Sequence, residues 1–171
     1  MLYRRLLKGF YSYILIFLTG ATLFLAMFVA PLLFTHLGVP KAAEATGVLF
    51  PPYFHLLFVL SLVELALSFL MVDRKQPFAR ITIGSWFFIS IVNGLLAGVL
   101  GPEAISSRAK WMSNPGDLAE KAHFDKIHEL SVILNSISLV MFLTLCLPLA
   151  FSFRPSQDKP VSENPPSPKL S

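Results

Sequence analysis

The sequence predicts an all-α integral membrane bundle of four transmembrane helices, with both termini in the cytoplasm. Three observations predict it. Of 171 residues, 54% are hydrophobic and 14% charged, against about a quarter charged in ordinary soluble domains. Four apolar runs each reach the roughly 20 residues that a bilayer crossing needs. The cations gather beside those runs, where Lys and Arg fix orientation. A mean hydropathy of +0.65 requires that the apolar excess face something other than water.

The first run spans about 13–34, after a short cytoplasmic segment 1–12, and the others span 53–72, 81–100 and 128–153. Arg4, Arg5 and Lys8 before run one also suit a signal peptide. The run, however, exceeds the usual 7–15 apolar residues of such a leader, and Pro31 follows the only small-residue site, Ala30, so a retained helix is expected. Pro31 and Pro148 should bend or finish their helices. Outer loops are expected at 35–52 and 101–127; in the second, Asn114-Pro115-Gly116-Asp117 is a strong turn. Asp117 with Glu120 resembles a capping box, so helix four should begin outside the membrane. The tail 154–171, rich in proline, is expected to be disordered in the cytoplasm.

Orientation follows from the flanks. Arg4, Arg5, Lys8, Arg74, Lys75, Arg80, Arg154, Lys159 and Lys169 lie on one side, and Lys41, Arg108, Lys110, Lys121 and Lys126 on the other. Nine against five places both ends inside, in a plasma or inner membrane. The net charge of +4 is spread over these clusters and forms no basic stripe for nucleic acid. The single cysteine, Cys146, excludes a disulfide framework and reads as a packing residue.

Lipid solvates leucine as well as a neighbouring helix does, so association needs close packing and polar contacts. Ser90, Gly94 and Gly98 form a small-residue packing stripe on run three, and Thr22, Ala26 and Ala30 a similar row on run one. His128, Ser131, Asn135 and Ser138 share about 80° of run four. Ser61, Glu64 and Ser68 share a face of run two, and run three adds Asn93. A carboxylate at mid-bilayer costs about 2.5–3.5 kcal/mol even on lenient scales, so Glu64 should face the bundle. Asn135, Ser138 and Asn93 are its candidate partners, in a functional site or as ties between helices.

His36, His55, His123 and His128 fall toward the outer side. His55 and His128 sit at similar depths and are the candidates for a metal or haem. His123 and His128, five apart, cannot chelate together, and no HExxH is present. No cofactor is expected, and without a nucleophile elbow, phosphate loop or carboxylate pair, neither is an enzyme.

Phe28-Val29-Ala30-Pro31 with Phe34, and Gly47-Val48-Leu49-Phe50-Pro51 leading into Tyr53-Phe54-His55, resemble the transmembrane-protein-205-like family, a domain of unknown function (4149). Phe124, Ile127-His128-Glu129-Leu130-Ser131 and Asn135 are similar to its aromatic-x-x-x-His-x-x-Ser signature. The resemblance spans about Gly9 to Leu147 and implies a four-helix membrane protein without an established reaction. It singles out His55, His128, Ser131 and Asn135, and Glu64 less clearly. The readings that follow are a non-enzymatic bundle with a packing, solute or partner site; a small-solute transporter or channel component; and a haem or metal protein. Its partners would be the lipid bilayer and a second copy or another membrane protein.

Overall fold

The computed structural model describes residues 2–71 and 79–152, with the side chains of 39, 40 and 149–152 excepted. The cations at positions 74 and 75, and the tail with its cations, lie outside the described residues. Those residues hold four long helices and no strand: α1 (Leu2–Gly38), α2 (Lys41–Met71), α3 (Ala79–Ser113) and α4 (Leu118–Ser152). Each contains a window apolar enough to cross a membrane. Helices α1 and α3 each touch α2 and α4, while α1–α3 and α2–α4 are the diagonals of the bundle. Four antiparallel passes bring Leu2, Met71, Ala79 and Ser152 to one end, called here the terminal end. The α1–α2 and α3–α4 connections form the other, the hairpin end.

The helices run past the boundaries that the apolar runs suggest. Residues 35–52 and 101–127 are mostly helix rather than loop. At 1.5 Å per residue α3 is about 52 Å long, against roughly 30 Å of hydrocarbon, so its hairpin end projects beyond the bilayer. The α1–α2 connection is a kink at Gly38, with φ 70° and ψ 162°. Beyond it α2 continues through Pro51 and Pro52 without a break. The α3–α4 connection is the expected turn, closed by the Asp117 N–H donating to the Asn114 carbonyl at 2.9 Å. Asp117 caps α4 by accepting from the Ala119 and Glu120 amides at 3.1 and 3.0 Å. The return half of the capping box is not made. The Glu120 carboxylate instead accepts from Ser107 at 3.0 Å and lies 3.7 Å from Lys110.

Helices α1 and α3 each widen once, into a π-turn at Leu25–Val29 and at Leu96–Leu100. Both π-turns end two residues before a proline, Pro31 and Pro102. A proline ring clashes with the carbonyl four residues back; a widened turn makes room, so both helices continue, α1 through the Pro31 at which it was expected to bend or finish. The second π-turn has a consequence for packing. The inserted residue turns Gly98 to the outside and brings Ala97 and Gly101 to the buried face after Ser90. Gly98 is therefore no packing position, whereas Gly94 lies against the ring of Phe58.

The core draws on Ile14, Leu15 and Leu18 of α1, Phe54, Leu57 and Leu67 of α2, Trp86, Ile89, Val92 and Leu96 of α3, and Phe142 of α4. Around it, Phe17, Phe24, Val59, Phe69, Phe87, Val132, Val140 and other large apolar side chains point outward, as a lipid-facing belt requires.

The backbone at Gly38 is a conformation essentially reserved for glycine, so Gly38→Ala should destabilise by roughly 1–3 kcal/mol. Gly20→Ala, in α1 with open space at its Cβ, should not destabilise. Thermal unfolding of both variants in one detergent checks the contrast.

Candidate functional site

Helical periodicity explains how the centre of the bundle becomes polar. Ser61, Glu64 and Ser68 recur at i, i+3 and i+7 on α2, and Trp86, Ser90 and Asn93 at i, i+4 and i+7 on α3. Either set fits within about 60° of arc. All six turn inward: Ser61, Glu64, Ser68, Trp86 and Asn93 are 0% exposed, and Ser90 is 5% exposed.

Two braces cross the diagonals. Toward the terminal end, Trp86 Nε1–H donates to the Tyr11 hydroxyl at 3.0 Å, with the rings edge to face at 6.2 Å. Toward the hairpin end, the Tyr53 hydroxyl lies 3.1 Å from Thr22 Oγ1 and 3.2 Å from Asn135 Oδ1, joining α2 to α1 and α4. Between neighbours, Ser138 donates to Asn93 Oδ1 at 3.2 Å, and Thr19 meets Cys146 Sγ at 3.4 Å. Thr19, Thr22 and Ser131 also donate to carbonyls four residues back in their own helices.

Glu64 belongs to none of these contacts. Both of its carboxyl oxygens are buried without a hydrogen-bond partner, and so are Ser68 Oγ, Ser90 Oγ and Asn93 Nδ2. The contact of Gly94 with Phe58 sets the antiparallel register of α2 and α3, which puts Ser90 level with residue 62. Glu64 then differs from Ser90 in depth by about 3 Å. It also lies within electrostatic reach of Tyr11. Glu64 thus sits beside the Tyr11–Trp86 brace and close in depth to Ser90, whereas Ser68 lies about 6 Å toward the terminal end, next to the Tyr11 hydroxyl, and Asn93 about 7.5 Å toward the hairpin end.

The partners expected for Glu64 are engaged elsewhere: Asn135 with Tyr53, Ser138 with Asn93, and Asn93 Oδ1 with Ser138. The histidines lie outside the seam. His55 is exposed, its Nδ1 2.7 Å from the Pro51 carbonyl. His128 is exposed and stacks on Phe124 at 5.9 Å, and no contact joins the two rings. His123 pairs with Glu103 at 3.1 Å. Among the described residues no three His, Cys, Asp or Glu side chains are grouped for a metal. Tyr11 and Tyr53 are the seam residues that periodicity alone passes over. Their signal was chemical, since a buried phenol needs a partner, with Tyr53 opening the second apolar run and Tyr11 lying just before the first.

Four lipid-length helices around a polar seam define a multi-pass membrane protein. The chain belongs to the DUF4149 family, described as a domain of unknown function, whose model matches residues 13–111. The match takes in Glu64, Ser68, Ser90 and Asn93 and stops before α4, which supplies Asn135 and Ser138. No curated protein and no solved structure matches the chain.

A double-mutant cycle of Tyr53→Phe and Asn135→Leu should give a coupling of about 0.6 kcal/mol, with a ceiling near 1.7, as for interhelical hydrogen bonds in a membrane. Unfolding in mixed micelles measures it. Strict additivity would show that the brace contributes nothing.

Proposed function

We propose that this is a non-enzymatic membrane protein whose bundle holds a small polar solute or cation at mid-membrane, on Glu64 and Ser90. One observation carries the reading: both Glu64 carboxyl oxygens and the Ser90 hydroxyl are buried without partners. Each such atom costs about 1–3 kcal/mol, more if charged. Native proteins leave few of them, and a bound ion or water is a standard resolution. The alternative for Glu64, a tie between helices, lacks the contacts a tie needs, while Tyr53, Trp86 and Ser138 supply ties of their own. The donor set is one carboxyl and one hydroxyl. It offers hard oxygens to a cation, or mixed donors and acceptors to a small neutral solute. The distribution of Lys and Arg supports both chain ends in the cytoplasm.

A site of this kind makes stability depend on its occupant. A ligand at 100 times its Kd adds about 2.7 kcal/mol. Thermal unfolding of the purified protein across monovalent cations and small polar solutes should therefore reveal at least one that raises Tm in the wild type and not in Glu64→Gln. Glu64→Leu, which removes the orphaned carboxyl, should equal or exceed the unliganded wild type in Tm. A wild type indifferent to every addition, together with a Glu64→Leu variant that unfolds earlier, would contradict the site.

A further inference from the structure

A second feature lies on the opposite side of the α2–α3 seam, facing lipid. Phe69, Ala79, Arg80, Ile83, Gly84 and Phe87 line a groove of about 410 Å³ at the terminal end. It meets, at Phe87, a second groove of about 320 Å³ floored by Ser90 and Gly94 and walled by Phe58, Leu62 and Leu95. Small residues make both: a Cβ at Gly84 would meet nothing within 4 Å. From Arg80 to Leu95 the pair of grooves runs about 22 Å along α3, somewhat more than one leaflet of hydrocarbon, roughly 15 Å.

The two ends differ in chemistry. Along its length the groove is apolar. At its mouth stands Arg80, exposed, just before the apolar run begins at Ile81, and without an ion pair or hydrogen bond among the described residues. Guanidinium groups bind phosphate through paired hydrogen bonds. A cation at headgroup level above a chain-length apolar slot matches an amphiphile with an anionic head and an apolar tail. We infer that this groove holds one anionic glycerophospholipid from the leaflet at the terminal end, with its phosphate on Arg80 and an acyl chain over Gly84 and Phe87. The second groove shares Ser90 with the Glu64 site, but Arg80 and Gly84, which define the lipid site, take no part in that one.

Native mass spectrometry tests this on the full chain, extracted from vesicles of equal phosphatidylglycerol and phosphatidylcholine. The wild type should retain one phosphatidylglycerol, with a preference of roughly tenfold over phosphatidylcholine, whose choline cation offsets the phosphate charge beside Arg80. Arg80→Gln should lose the preference while still retaining a lipid of either kind. Gly84→Leu, whose side chain grows into open space, should retain neither while unfolding no earlier than the wild type. Equal retention of both lipids by the wild type would overturn the inference, as would phosphatidylglycerol retention unchanged in both variants.

Discussion

Hydrocarbon offers a polar group nothing to bond with, so whatever polarity this chain carries into the bilayer it must satisfy from within. The backbone meets that demand by being helical almost throughout. Where Pro31 and Pro102 threaten the ladder, the helix widens into a π-turn just upstream instead of breaking. Hydroxyls meet it locally, as Thr19, Thr22 and Ser131 do on carbonyls of their own helices. The longer polar side chains meet it across the bundle. Tyr53 with Asn135, and Trp86 with Tyr11, span the diagonals that backbone contacts do not bridge, and Tyr53 also ties α2 to its neighbour α1 at Thr22. Glu64 is where the demand goes unmet, which is why a binding role centres there.

The same constraint explains how the bundle holds together. Burying leucine against leucine gains little when the alternative is an acyl chain. What distinguishes the assembled state is shape and polarity: Trp86 packed between Tyr11 and Phe142, Gly94 admitting the Phe58 ring, and the braces at two depths. Surface pairs at the hairpin end, such as Lys121–Asp125 at 2.6 Å, are worth at most about 1 kcal/mol each. Their role is to shape the projecting helical hairpin, where Trp111 and Phe124 stack at 6.2 Å.

Four helices, their rough centres and the polar faces of α2 and α3 were legible from hydropathy and periodicity, because lipid imposes both directly. The ends were not. Hydropathy falls where a helix leaves the bilayer, but the helix itself need not stop there, so 35–52 and 101–127 read as loops. Helix α2 runs on through Pro51 and Pro52 inside the first of these segments. Gly98 was misplaced because a π-turn shifts the helical phase, and only its coupling to Pro102 hints at one. Asn135 and Ser138 were legible as inward-facing groups but not as partners of Tyr53 and Asn93, since pairing depends on tilt and register between helices.

The central claim is that Glu64 lacks a protein partner because something else occupies its place. High-resolution cryo-electron microscopy of the full chain in a lipid nanodisc, enlarged by a rigid fiducial, observes that place directly. The account predicts density between the Glu64 carboxyl and Ser90 Oγ, within hydrogen-bonding or coordination distance of the carboxyl. A carboxyl bonded to another side chain, or packed against apolar atoms with no density beside it, would contradict it.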